Sequence, residues 1–121
     1  MASTALIYDE DAAHPGRESD PAAPRLDYPA SKLAAEKELS GSGLNWSVMR
    51  YGFVYGDQDG HLESLPQLAE GRFHPAQRVS MIHHRDIATA TMLALSGTFD
   101  GRIINIADDA STSVYELVEL V

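Results

Sequence analysis

The chain has 121 residues, 44% of them hydrophobic and 22% charged, with no cysteine and a formal net charge of -9. That length reads as a single domain, 1–121, able to bury a core without staples, and the missing cysteines exclude disulfides, thiolate metal sites and a Cys nucleophile. The acidic balance repels phosphate backbones and excludes nucleic acid as an expected partner, while the lack of any apolar run of membrane-spanning length or signal-peptide pattern predicts a soluble cytoplasmic protein with no membrane contact.

Ala5-Leu6-Ile7-Tyr8, preceded by Ser3 and Thr4, is a short apolar run that reads as a buried strand with hydroxyls at its start. From Asp9 to Asp27 the chain is acidic and rich in Pro, Ala and Gly; Pro15, Pro21 and Pro24 break any periodicity and predict a long surface loop. Asp27 or Tyr28 can then cap a helix with Pro29 in its first turn, where a missing amide is harmless. Leu33, Ala34, Leu39 and the run Ala35-Glu36-Lys37-Glu38 carry that helix to Gly41-Ser42-Gly43.

Trp46 to Tyr51 and Phe53 to Tyr55 are β-rich and end at Gly56, a strand running into a loop. Asp57-Gln58-Asp59-Gly60 reads as a turn, about Leu62 to Glu70 as a short helix ending at Gly71, and Val79 to His83 as a strand. A helix is expected from Asp86 through Leu95, with Ile87, Ala90, Met92, Leu93 and Ala94 on its apolar side, and a strand over Arg102 to Ala107. The last helix starts at Thr112 or Ser113, because Ser113 and Glu116 have capping-box spacing. Strands alternating with helices predict an α/β layered fold with a largely parallel sheet.

The residues with the clearest chemistry are Tyr28 and Lys32, four apart at the head of the first helix. At that spacing a phenol and an ammonium leave one helix face a turn apart. A nearby cation favours the phenolate, and a Tyr tuned this way can exchange a proton with a substrate hydroxyl. The same spacing also arises by chance in amphipathic helices, so its company along the chain decides its meaning.

That company is Thr4 with Tyr8 four residues on, a Pro-rich acidic loop, Tyr28-x-x-x-Lys32, Arg50-Tyr51-Gly52-Phe53-Val54-Tyr55-Gly56, Ile82-His83-His84-Arg85-Asp86-Ile87-Ala88, and Asn105-Ile106-Ala107-Asp108-Asp109. In this order the set resembles the later half of the NAD-dependent epimerase/dehydratase group of extended and atypical short-chain dehydrogenases. The resemblance implies a partial Rossmann-like fold. In it Tyr28 is the acid/base, Lys32 lowers its pKa and binds the nicotinamide ribose, and Thr4 orients the substrate oxygen, Ser3 standing second for that role. Arg50, Tyr51, Gly52 and Val54 would lie along the nicotinamide of NAD or NADP. Tyr51 stands where many relatives have Pro, the mark of a subgroup, and Asp86 would open its helix as a cap.

Relatives open with a Gly-rich strand-turn-helix that holds the dinucleotide pyrophosphate, and no Gly-x-Gly-x-x-Gly or Gly-x-x-Gly-x-x-Gly occurs here. The chain thus corresponds to the C-terminal half of such an enzyme, and weak dinucleotide binding by these residues alone is expected. A free strand edge and the family's habit of pairing through the Tyr-Lys helix predict a homodimer. Two functions follow: an NAD(P)-dependent epimerase/dehydratase-type unit acting on a small hydroxyl or carbonyl substrate, or a truncated relative serving as a binding or interaction module without catalysis.

Other constellations read as ordinary surface. His83 and His84 with Asp86 carry a metal motif only weakly, since neighbours on a strand point to opposite faces; His14, His61 and His74 lie in loops without ligand spacing, so no metal is expected. Ser47 and Ser80 lack a nucleophile-elbow context. Arg72, Arg78 and Arg85 could meet an anionic substrate, but the register of Arg78 and the short stretch from Gly56 to Val79 favour a molecule smaller than a nucleotide sugar.

Overall fold

A computed structural model describes the backbone of residues 1–121 and every side chain except those of Leu68 and Ala69. Three short parallel strands form the first layer: β1 (Ala2–Thr4), β2 (Val48–Tyr51) and β6 (Ile103–Ile106), in the order β1-β2-β6. Between β1 and β2 lies α1 (Asp27–Ser40). A second parallel pair joins β3 (Phe53–Tyr55) to β5 (Met81–His83), with α2 (His61–Ala69) in the connection. The two-stranded pair of β4 (Arg78–Val79) and β7 (Thr112–Ser113) is antiparallel, and α3 (His84–Leu95) and α4 (Val114–Leu120) complete the chain. The α/β class with mostly parallel pairing is therefore as expected.

Several boundaries differ from expectation for identifiable reasons. The first strand is Ala2–Thr4, not Ala5–Tyr8; Ala5–Ile7 is a 3₁₀ turn opened by Thr4, whose Oγ1 accepts from the Leu6 amide at 3.2 Å. Ile7 is fully buried, but Leu6 is 49% exposed, so of the expected buried run only Ile7 joins the core as the backbone bends. The N-cap of α1 is Leu26, without a side-chain cap, and that of α3 is His83, whose Nδ1 accepts from the Arg85 amide at 3.1 Å. Asp86 thus sits in the first turn of α3, not at its cap. The capping box of α4 is present: Ser113 Oγ accepts from the Glu116 amide, and the Glu116 carboxylate accepts from Ser113, which holds that carboxyl below its ordinary pKa.

The expected strand through Tyr55 is broken in two at Gly52. Its amide donates back to Ile106 of the first sheet, while the Phe53 amide donates to Ser80 at 2.8 Å and starts the second. Ser80 likewise separates β4 from β5, so one crossing point serves both breaks. A Cβ built on Gly52 would lie 2.5 Å from the Ser80 carbonyl oxygen and 2.9 Å from its carbon, both backbone atoms. Only glycine lets the two segments cross at that distance.

The buried residues Leu65, Met81 and Leu117 form the core beneath this crossing, with Phe53, Tyr55, Leu62 and Val79 packed on it. Ile7 of the 3₁₀ turn and Val48 and Met49 of β2 are also buried, and α1 packs on both β1 and that turn. No helix is long and apolar enough to cross a membrane among the described residues. Gly52→Ala is expected to cost about 1–3 kcal/mol through forced separation of the two backbones, measured as a lower midpoint in urea at unchanged slope.

Candidate active site at the carboxyl ends of the parallel strands

In the register of the first sheet, Thr4 is opposite Tyr51 and Tyr51 opposite Ile106, so the last residues of β1, β2 and β6 lie level. Open parallel sheets bind ligands beyond these carboxyl ends, where the strands release the chain into loops. A cavity of about 980 Å³ opens there, lined by Thr4, Leu6, Tyr8, Arg50, Tyr51, Gly52 and Val54 from this end and by Arg72, Phe73 and Arg78 from the opposite wall. Arg78 is turned onto Ser111, its Nε donating to the hydroxyl at 2.8 Å.

Thr4 is buried, and its Oγ1 accepts the Leu6 amide, which leaves the hydroxyl proton available to a ligand oxygen. Tyr28 and Lys32 stand outside the cavity lining, on α1. Tyr28 is 55% exposed; the Lys32 ammonium lies over its ring, 5.9 Å from the centroid, and donates to the Ala2 carbonyl at 3.3 Å. One turn of helix therefore brings phenol and ammonium together, and Lys32 ties them to β1, the strand that ends in Thr4.

Arg50 occupies a different position from its neighbours in the motif. Its side chain is only 4% exposed and its guanidinium is committed to protein: Nε and Nη2 donate to the two carboxylate oxygens of Glu36 at 3.0 and 2.6 Å, and Nη1 to the Tyr8 hydroxyl at 3.1 Å. Ser3 Oγ donates to the same carboxylate at 2.5 Å, and Tyr8 donates to Asn105 Oδ1 at 2.5 Å. Asn105 then fixes the acidic loop, its Nδ2 donating to the Gly16 carbonyl and its amide to Glu18. The chain of contacts Ser3–Glu36–Arg50–Tyr8–Asn105 joins β1, α1, β2 and β6, and its last three members line the cavity. Burial opposes ionisation of Glu36, yet the hydrogen bonds from Arg50 and Ser3 outweigh it and hold the carboxyl below the ordinary carboxylate range.

Two histidines read separately in sequence also converge. His61 is the first residue of α2, not a loop residue, and His84 is the first of α3, not the end of a strand. The imidazoles of His83 and His84 do part, His83 toward Asp57 and His84 toward Asp59, where His61 joins it. The sequence signal for this meeting is confined to Asp59-Gly60-His61; the partner His84 arrives through the β3–β5 pairing, which spacing does not reveal.

A family model described as NAD dependent epimerase/dehydratase family matches residues 1–107. The chain is similar over 98% of its length to a UDP-glucose 4-epimerase from Thermotoga maritima (25% identity, TM-score 0.79) and covers 44% of that structure. A Thermus thermophilus UDP-glucose 4-epimerase in complex with NAD gives 25% identity and a TM-score of 0.75, covering 98% of this chain and 45% of the other. The fold is shared by RMD from Pseudomonas aeruginosa complexed with NADPH, at 22% identity and TM-score 0.77, with 98% and 47% covered. No curated protein matches in sequence. The chain thus spans less than half the length of these structures.

Because the folded-state pKa of Glu36 is lowered, the stability it contributes is complete above its unfolded value, about 4.3, and is lost as pH falls through the folded value. Glu36→Ala, which leaves the Arg50 charge buried and unpaired, is expected to cost about 3–5 kcal/mol at neutral pH. Its denaturation midpoint should then fall less than that of the parent chain between about pH 4.3 and acid, the difference isolating Glu36 from the other carboxylates.

Proposed function

The chain belongs to the NAD dependent epimerase/dehydratase family, and we propose that it carries the acid/base and substrate-side half of a nicotinamide-dependent epimerase or dehydratase acting on a small hydroxyl or carbonyl substrate. The observation that carries the reading is the Tyr28–Lys32 pair, a phenol and an ammonium one turn apart on α1 and, among the described residues, neither engaged by a side chain in a hydrogen bond or ion pair. Tyr28 takes or returns the proton of a substrate carbinol. Lys32 sets its ammonium over the Tyr28 ring, 5.9 Å from the centroid, where it can meet the hydroxyls of a bound ribose. Thr4, with its hydroxyl proton free, orients the substrate oxygen at the mouth of the cavity.

NAD or NADP, when bound, supplies the hydride acceptor and donor. The residues fit its nicotinamide-ribose end: an exposed phenol and ammonium suit ribose hydroxyls, and the backbone from Arg50 to Val54 borders the cavity. They do not include a Gly-rich pyrophosphate turn. The contacts from this half must bear the ordering cost, which makes dinucleotide binding by these 121 residues weak. A second reading, a binding or interaction module that does no chemistry, is favoured by the place of Tyr28 and Lys32 outside the cavity lining.

Calorimetric titration of NAD and NADP separates the two readings. The first expects a Kd of about 10 µM to 1 mM that Lys32→Met weakens about tenfold or more; silence at millimolar cofactor supports the module. With any substrate that turns over, Tyr28→Phe removes only the titrating oxygen and is expected to lower kcat by about 10²–10⁴.

The reading also includes a homodimer, because β1 lies at the edge of its sheet and α1 leaves most of its length exposed. Light scattering after size exclusion should give twice the 13.1 kDa chain mass, and a monomer that persists at high concentration would count against it.

A further inference from the structure

We propose that Asp59, His61 and His84 form a binding site for one divalent first-row transition ion, Zn²⁺ or a close analogue. The ligand atoms of the three residues all lie within 4.8 Å of one another. Asp59 Oδ2 is 3.1 Å from His61 Nδ1 and 3.6 Å from His84 Nε2. Zinc bonds to imidazole nitrogen and carboxylate oxygen of about 2.0–2.2 Å place neighbouring ligands of a tetrahedron about 3.3–3.5 Å apart. The two carboxylate–imidazole separations bracket that value.

The environment holds these atoms where a cation would use them. Asp59 Oδ2 is shut off from solvent and has no hydrogen-bond partner among the described residues, although its side chain as a whole is 19% exposed. A buried carboxylate oxygen left without a hydrogen bond is costly, and a cation removes that cost. The other oxygen, Oδ1, accepts the His61 amide at 2.9 Å, which fixes the direction of Oδ2. The His61 ring packs edge-on against Phe53, with centroids 6.2 Å apart. The His84 ring lies against Gly56, where an added Cβ would be 2.6 Å from Nδ1. Outer groups that fix ligand orientation in this way are part of a working metal site.

The His61 Nδ1 also lies 3.2 Å from the Val54 carbonyl, a hydrogen bond that metal binding would displace. Two nitrogens and one oxygen suit zinc, cobalt or nickel better than calcium or magnesium. Both imidazoles are about half exposed, which leaves a coordination position open to water or a small ligand. The ion would join the turn before α2 to the first residue of α3, two elements far apart in sequence.

The test uses the tag-free 121-residue chain, treated with chelator and titrated with Zn²⁺ by calorimetry and with Co²⁺ by visible absorption. The expected result is one ion per chain, a Co²⁺ spectrum of low-symmetry four-coordinate type, and affinity about 10–100-fold weaker in each of Asp59→Asn, His61→Ala and His84→Ala. His74→Ala, outside the cluster, should bind as the parent does. Far-UV circular dichroism establishes that each variant is folded, and His84→Asn provides a second substitution if His84→Ala is not. Absence of binding, or binding that His61→Ala and His84→Ala leave unchanged, overturns the proposal and identifies the cluster as an aspartate ion-paired with histidine.

Discussion

The pairing of Glu36 with Arg50 is the constraint on which the arrangement of the site depends. Both side chains are almost fully buried, and two charges removed from water are tolerated only when geometry and further hydrogen bonds offset the desolvation cost. Here the guanidinium meets both carboxylate oxygens, Ser3 donates a further hydrogen bond to the carboxylate, and the Tyr8 hydroxyl accepts from the guanidinium. Ser3 is the neighbour of Thr4, Glu36 lies one turn beyond Lys32, and Arg50 immediately precedes Tyr51. A shift of this pair by an ångström would move the helix bearing the acid/base candidate relative to both strands that end at the cavity.

Asn105 extends the same logic to the loop. A 19-residue span of Pro-rich, acidic chain has little apolar surface with which to order itself, and a single asparagine side chain and amide hold its middle at Gly16 and Glu18. Arg25 closes the loop on itself through Asp9 and Asp11, but those groups are exposed and the pairs add little. The loop wall of the cavity, from Asp9 to Gly16, therefore takes its position from β6 and not from its own charges.

Much of the fold was legible where local chemistry acts alone. The stop of α1 at Gly41, the helix over His61–Ala69, the strand over Ile103–Ile106 and the Ser113–Glu116 capping box all follow from residues within a turn of one another. The misplaced features depend on partners distant in sequence. The β-rich stretch around Gly52 reads as continuous because nothing local announces that Ser80 crosses it. Glu36, inside a run of Ala, Lys and Glu, has the composition of a solvated face, and its burial is dictated by Arg50 fourteen residues later. The motif offered Tyr28, Lys32 and Thr4 as a set, but it does not separate Arg50, whose side chain is committed to Glu36 and Tyr8, from Tyr51, Gly52 and Val54 beside it.

The Asp59 cluster and the cavity share a wall, and this links the two ends of the molecule. α2 begins at His61, packs on α4, and contributes Leu65 both to the core and to the lining of the cavity. Within that helix, Pro66 removes one backbone hydrogen bond, so α2 gains less from its own ladder than a regular helix of that length and leans more on contacts at its ends. At its start those contacts are the Asp59 side chain and the imidazole pair. A cation there would fix the first turn of α2 against α3, and the position of Leu65 in the cavity wall would follow, since a short helix packed on one side moves as a unit. The α2 wall of the cavity thus belongs to a helix that starts at the Asp59 cluster, while the strand wall includes Arg50 of the buried ion pair.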